Sequence, residues 1–288
     1  MKRRTFLKMA AAMPLIPGAA ALGQCTARPA PAPARPPLGM AMFTLRDEDE
    51  KDRMGTLDAV AGMGYAGVEF FGRYYDWTPE HAKDVRARLD DLGLRCFSTH
   101  TARPNFTPAA LGKAAELNLI LGSRYVVMAH SGQVTWAEDG WKVLADELTQ
   151  AHETLRPQGL GAGFHNWADD WVPHPTYRGM DVLAANTPKD LGFQIDTGGA
   201  FRHRTNLVEF CEKHPGRVRS LHLKDWTPET NATGVIFGEG VIDWLPIFEA
   251  AERVGGVEYY LMEQEGSRLS PLETSKVSIE TYRTMRGI

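Results

Sequence analysis

Cysteine is scarce, with 3 in 288 residues. A fold stapled by disulfides is therefore excluded. Basic residues do not predominate either: 32 Lys and Arg stand against 36 Asp and Glu, for a formal net charge of -4. A protein that holds nucleic acid on an overall basic surface is disfavoured. No Gly-x-Gly-x-x-Gly or Walker-type phosphate loop occurs. That argues against a doubly wound dinucleotide fold and a P-loop fold. What remains is globular composition, 43% hydrophobic and 24% charged, which excludes collagen, coiled coil and general disorder.

The chain opens Met1-Lys2-Arg3-Arg4-Thr5-Phe6-Leu7-Lys8, then runs through small, mildly apolar residues to Leu22. A basic segment followed by a short apolar one reads as a signal peptide over residues 1–25. Arg3-Arg4 ahead of Thr-Phe-Leu-Lys resembles the twin-arginine export signal of bacteria. The apolar run is too short and too rich in Ala, Gly and Pro for a membrane span. Leu22-Gly23-Gln24-Cys25 resembles a degenerate lipobox, which leaves two expectations: a lipid anchor on Cys25, or ordinary cleavage nearby. Residues 26–37 are Ala/Pro-rich, with five of the 18 prolines between Pro29 and Pro37. Such a stretch is an extended tether. The leader's four basic residues and no acids take the remainder to a net charge of about -8, which further opposes nucleic acid. The expectation is an exported, periplasmic protein that uses the twin-arginine machinery, with a membrane link only through the lipid.

Residues 38–288 suffice for one large domain. Apolar, β-branched runs recur about every 30 residues, each followed by a helical pattern. The predicted strands are Leu38–Phe43, Ala66–Phe71, Leu94–Ser98, Tyr125–Ala129, Gly161–His165, Gly192–Ile195, Val218–Leu223 and Glu258–Met262. Eight alternating units predict a single (β/α)8 TIM barrel. Thr78-Pro79-Glu80 reads as a helix start, with Ala82, Val85, Leu89 and Leu92 on one face and Gly93 as the stop. Ser270-Pro271 opens the last helix in the same way. Cys96 and Cys211 sit in apolar contexts and are expected as buried free thiols.

In such a barrel the active site lies at the C-terminal ends of the strands. Nearly every predicted strand ends in an ionisable group: Glu69, His100, His130, His165, Asp196, His222-Leu223-Lys224-Asp225 and Glu263-Gln264-Glu265. His203 lies in the loop after strand six. Any single one could be a hydrogen-bonded rim residue. Together, imidazoles and carboxylates converging from several strands are how a divalent metal site is built.

These segments give the chain a specific resemblance. Leu38 to Arg46, Gly64-Tyr65-Ala66-Gly67-Val68-Glu69-Phe70, Phe164-His165-Asn166, Asp196-Thr197-Gly198, His222-Leu223-Lys224-Asp225, Gly238-Glu239-Gly240 and Met262-Glu263-Gln264-Glu265 resemble, in order, motifs of the xylose isomerase-like barrel superfamily. The branch is the one labelled sugar phosphate isomerase/epimerase. The resemblance implies one divalent cation (Mn, Zn, Co or Fe) held by His165, Asp196, His222 and Glu263. Many members carry Glu at the strand-five position, where this chain has His165. The implied chemistry is proton removal beside a carbonyl, assisted by metal Lewis acidity. Glu263 is the first expected base. With His165 on the metal, a free base must come from His100, His130, Glu69 or Glu265, and Lys224 is expected either to neutralise an oxyanion or to pair with Asp225 or another nearby acid.

All seven Trp (77, 136, 141, 167, 171, 226 and 244) fall in or beside predicted strand-to-helix connections. Trp167 and Trp226 are expected against substrate, with Glu69 and Glu265, and Trp244 in helix packing. No phosphate cradle is visible beyond Arg268. The expected substrate is thus an unphosphorylated sugar, keto-sugar or keto-glycoside. The expected activity is isomerase or epimerase. The alternative is a lyase or hydratase that takes the same proton from a 3-keto-glycoside and expels the β group. Two further alternatives are an endonuclease IV-like nuclease and a sugar-binding lipoprotein without turnover.

Overall fold

A computed structural model describes residues 35–132, 137–229 and 234–288. The leader, Cys25, most of the tether and Trp136 lie outside the described residues. Eight strands appear where the apolar runs predicted them: β1 (Leu38–Ala41), β2 (Gly67–Phe70), β3 (Arg95–Thr101), β4 (Tyr125–Met128), β5 (Gly161–His165), β6 (Gly192–Asp196), β7 (Val218–Leu223) and β8 (Tyr259–Met262). Each pairs in parallel with the next, and β8 pairs with β1. The result is a closed eight-stranded barrel with helices between its strands, a (β/α)8 fold. β3 runs three residues further than predicted, so His100 sits inside a strand.

The helices start and stop by local chemistry. Thr78 accepts a hydrogen bond from the His81 amide and Pro79 opens the helix Pro79–Leu92, which Gly93 ends. Ser270 and Glu273 form a capping box at the start of Pro271–Arg286. Among the described residues no helix is long and apolar enough to cross a membrane.

Alternation along the strands separates two cores. Met40, Val68, Val126, Phe164, Phe193, Leu221 and Tyr260 belong to the large layer packed with the helices. Ala41, Phe97, Tyr125, Val127, Tyr259 and Leu261 form a second cluster inside the barrel. Phe97 stacks on Tyr259, with centroids 4.9 Å apart and planes 13° apart. Space for that ring comes from Gly39, where a Cβ would lie 2.7 Å from the Phe97 ring. Cys96 and Cys211 are buried and free, as predicted. The tryptophans divide differently from the prediction. Trp141 lies within the helix Glu138–Leu155, and it and Trp171 are almost fully buried, so both are core residues.

Candidate functional site

Strand ends carry the chemistry because period-two alternation aims every second residue of a barrel strand inward. His165 ends β5, Asp196 ends β6, His222 lies in β7, and Glu263 follows β8 directly. One ligand atom from each lies within 4.8 Å of the others, and all four residues are buried. His100 forms a second close group with His165 and His222.

Each side chain is held by its neighbours. The Asn166 Oδ1 accepts the Asp196 amide at 3.0 Å, which ties β5 to β6. Asp196 Oδ1 accepts the Gly199 amide at 2.6 Å and caps the short helix Thr197–Arg202. The Thr197 hydroxyl reaches the carbonyls of His222 and Lys224 on β7 and just beyond it. Asp225 does not pair with Lys224. It accepts the amides of Gly238 and Gly240 at 2.8 and 3.2 Å and the Trp244 indole at 3.2 Å. A Cβ at position 240 would fall 2.1 Å from the Asp225 carboxylate, so glycine is required there. The His-x-Lys-Asp and Gly-Glu-Gly motifs are thus two halves of one clasp.

His222 is bonded on both ring nitrogens. Nδ1 meets Glu263 and Nε2 meets Glu69 at 2.8 Å. The Glu69 Oε2 accepts from Gln194 at 2.6 Å and from the Ser98 hydroxyl. Burial opposes ionising Glu69, but His100 and His222 outweigh it and hold its carboxyl at about 2. Burial likewise opposes a charged His222, yet the flanking Glu69 and Glu263 raise it to about 10. Glu263, although buried, is kept ionised well below the usual carboxylate range by Lys224 and His222. Lys224 is buried too, but its pKa is raised by Asp196, Glu263 and Glu265. Its Nζ lies 3.4 Å from Asp196, 3.9 Å from Glu263 and 2.5 Å from Glu265.

His165 differs. Burial first, then His100 and His222, press its pKa well below the ordinary value, so the ring is neutral. Its Nδ1 donates to the Ala129 carbonyl at 2.9 Å. The lone pair then sits on Nε2, a buried atom with no hydrogen-bond partner among the described residues. An orphaned buried acceptor beside Asp196, His222 and Glu263 is what a cation site requires. Two imidazoles and two carboxylates suit a first-row divalent ion. With an ion held there, Glu69 would take the outer role, orienting the His222 ring from behind.

A cavity of about 560 Å³ opens over this group. His100, His130, Lys224, Glu265 and Trp167, all expected at the site, line it. Glu69 and Trp226, expected against substrate, do not. Glu69 is buried beneath the His222 ring because its strand position points it into the barrel below the mouth. Trp226 turns away into a separate groove with Phe201 and Ile247, since the Asp225 clasp draws the chain outward. The base candidates also separate. His130 Nδ1 accepts the Gly132 amide at 3.0 Å, which occupies the lone pair a base would need. His100 Nε2 faces Gln194 Oε1 at 2.5 Å and Glu69 at 3.2 Å, two acceptors that keep a proton on Nε2, so a lone pair for base chemistry would be on Nδ1. His203 ends a helix and lies off the cavity.

Several residues of the site were not expected from sequence. Ser98, Gln194 and Asn166 act only through others. Phe43, Phe71 and Arg202 line the cavity. Phe43 and Phe71 continue the inward alternation two residues beyond Ala41 and Glu69, a signal the sequence does contain.

Residues 57–285 match the family model described as xylose isomerase-like TIM barrel. Inosose dehydratase of Geobacillus thermodenitrificans is 23% identical over 271 residues, 79% of this chain and 89% of that protein. A sugar phosphate isomerase/epimerase structure from Parabacteroides distasonis superposes with a TM-score of 0.73 at 24% identity, covering 92% of this chain and 97% of that one. The IOLI protein with a binding zinc atom superposes with a TM-score of 0.67 at 16% identity, covering 86% and 97%. At these identities the two superpositions speak to the fold alone.

Proposed function

The chain belongs to the xylose isomerase-like TIM barrel family, and from that premise we propose that it is a metal-dependent carbon–oxygen lyase of an unphosphorylated cyclic keto-sugar. The observation that carries this is the close group of His165, Asp196, His222 and Glu263, of which His165, Asp196 and Glu263 line a cavity together with Lys224 and His100. The inosose dehydratase relative favours elimination over the isomerase or epimerase expectation. So does His165, because strand five offers no carboxylate to serve as a second base.

His165, Asp196, His222 and Glu263 would hold the cation. When bound, such an ion supplies Lewis acidity toward a carbonyl or hydroxyl oxygen. The remaining work falls to the chain itself. His100, with Nε2 directed at Glu69 and Gln194, removes the proton on the carbon beside the ketone with its Nδ1. Lys224, a cation in a buried setting, stabilises negative charge developing on the substrate oxygen. The carbon–oxygen bond β to the ketone breaks with its electron pair going to the departing oxygen, which takes up a proton, and a carbon–carbon double bond forms. Carbon oxidation balances within the substrate, so no redox partner is needed.

The test is mass spectrometry on a keto-cyclitol and a 3-keto-glucoside incubated with protein of measured metal content in deuterated water. Loss of water, or of the aglycone alcohol, is expected. Deuterium incorporation with the substrate otherwise intact would replace the lyase with an epimerase. Activity that persists after the chelated protein is shown to be metal-free would remove the metal.

A further inference from the structure

The polar floor of the cavity is topped by two aromatic walls. Phe43 follows β1 and Phe71 follows β2, and their rings meet edge to face with centroids 5.6 Å apart. Trp167 follows β5 and His130 follows β4, and their rings lie 4.6 Å apart. In a closed ring of eight strands β1 is diametrically opposite β5. The two walls therefore face each other across the mouth. Strand geometry sets Trp167 and Phe71 two residues, about 6–7 Å, above the layer of His165 and Glu69.

Both walls are fastened. The Arg46 and Arg73 guanidinium groups lie over the Phe43 and Phe71 rings at 4.9 and 5.6 Å. Buried Asp170 accepts the Trp167 amide and the Ser131 hydroxyl, each at 2.7 Å, and so joins the β4 and β5 loops. Despite this fixing, Phe43 is 37% exposed and Trp167 is 56% exposed. Large apolar faces held open over a polar floor have a cost unless something covers them. A departing water molecule would leave them bare, and the 560 Å³ cavity lies in the range of about 300–1,000 Å³ typical of sites for larger ligands.

We infer that the group expelled is a bulky apolar alcohol rather than water: the Phe43–Phe71 and His130–Trp167 walls form a subsite for the aglycone of a keto-glycoside. This rests on the elimination reading above and narrows it. The keto-sugar ring sits on the floor by Lys224 and His100, and the aglycone lies between the walls. The proton leaves the carbon next to the anomeric centre, the anomeric carbon–oxygen bond breaks, and the alcohol departs through the mouth.

Benzyl and methyl 3-keto-glucosides test this, because the two alcohols are similar leaving groups and differ in apolar bulk. Calorimetric Kd and kcat/KM are measured for both with the wild-type protein and with Trp167→Ala and Phe43→Ala. The benzyl compound is expected to be favoured at least tenfold in Kd and in kcat/KM, with that ratio collapsing toward one in both variants. A wild-type binding ratio near one, or one that survives both substitutions, would overturn the subsite. Binding preference that collapses in the variants with neither compound cleaved would keep the subsite and sink the elimination.

Discussion

At the base of the barrel interior, Phe97 and Tyr259 stack with Tyr125 tilted beside them, and Gly39 makes room for the ring. At the mouth, a few residues further along the same strands, the inward positions are Glu69, His100, His165, Asp196, His222 and Glu263. Both ends are buried and both are aromatic, counting the stacked imidazoles of His100 and His222. The base gains stability from apolar burial. The mouth instead gathers charges that are tolerable only because each has a partner. One strand set thus serves two ends with opposite demands, and stability and chemistry can be perturbed separately.

Mutations should separate them further, taken in falling order of effect on unfolding. His222→Ala is expected to lose bound metal and also to lower the unfolding free energy of the chelated protein by about 3–5 kcal/mol. It leaves Glu69 and Glu263 buried without their shared cation. Urea unfolding with chelator present measures this, and an unchanged midpoint would mean that the pairing does not support the mouth. Phe97→Ala is expected to cost about 3–5 kcal/mol from the base alone. Its folded fraction should keep full metal stoichiometry; lost metal would show that the two ends are coupled. Glu69→Gln should weaken metal affinity by about 10–100-fold by replacing the charged partner of His222 Nε2 with a neutral one, read by competition with a chromogenic chelator. His165→Gln should abolish metal binding as His222→Ala does, yet shift the chelated protein's unfolding by less, about 1–2 kcal/mol, since it loses the Nδ1 bond to the Ala129 carbonyl but breaks no ion pair. A large shift there would contradict the neutral, orphaned ring.

The smallest effect concerns thiols. Burial pushes both Cys96 and Cys211 up to about 12. The folded state therefore keeps its thiol protons where an unfolded chain, near pH 9, begins to release them. Their contribution to stability is full below pH 9 and lost as pH rises toward 12. At pH 8 iodoacetamide should leave both unmodified until urea unfolds the chain. Rapid native labelling would mean that the outer layer opens locally.

Much of this was legible in the sequence. Apolar runs with His, Asp or Glu near or just past their ends marked every strand but the first, together with its mouth end, because spacing and alternation are local properties. The set His165, Asp196, His222 and Glu263 came from the family resemblance, and the barrel brings these four together. What sequence could not give is register. The irregular pairing between β2 and β3 near Glu69 brings Ser98 onto that carboxylate, and Gln194 joins it from the far side of the barrel. Glu69 therefore looked like a substrate contact when its geometry is that of a support. Trp226 misled for a similar reason: adjacency to Lys224 says nothing of the Asp225 clasp that turns the chain away. Phe43 and Phe71 were within reach, since the predicted strands end on them and the inward alternation through Ala41 and Glu69 includes both.

The seam between β8 and β1 has one more consequence. Leu38, Gly39 and Met40 pair with Tyr260, Leu261 and Met262, and the Tyr260 amide also reaches the Pro37 carbonyl at 2.9 Å. No stave of the ring is left with a bare flank of amides for a stranger to zip onto. Among the described residues a second molecule would meet this one through helices or loops, and runaway stacking of the barrel strands into fibrils would first have to tear that seam.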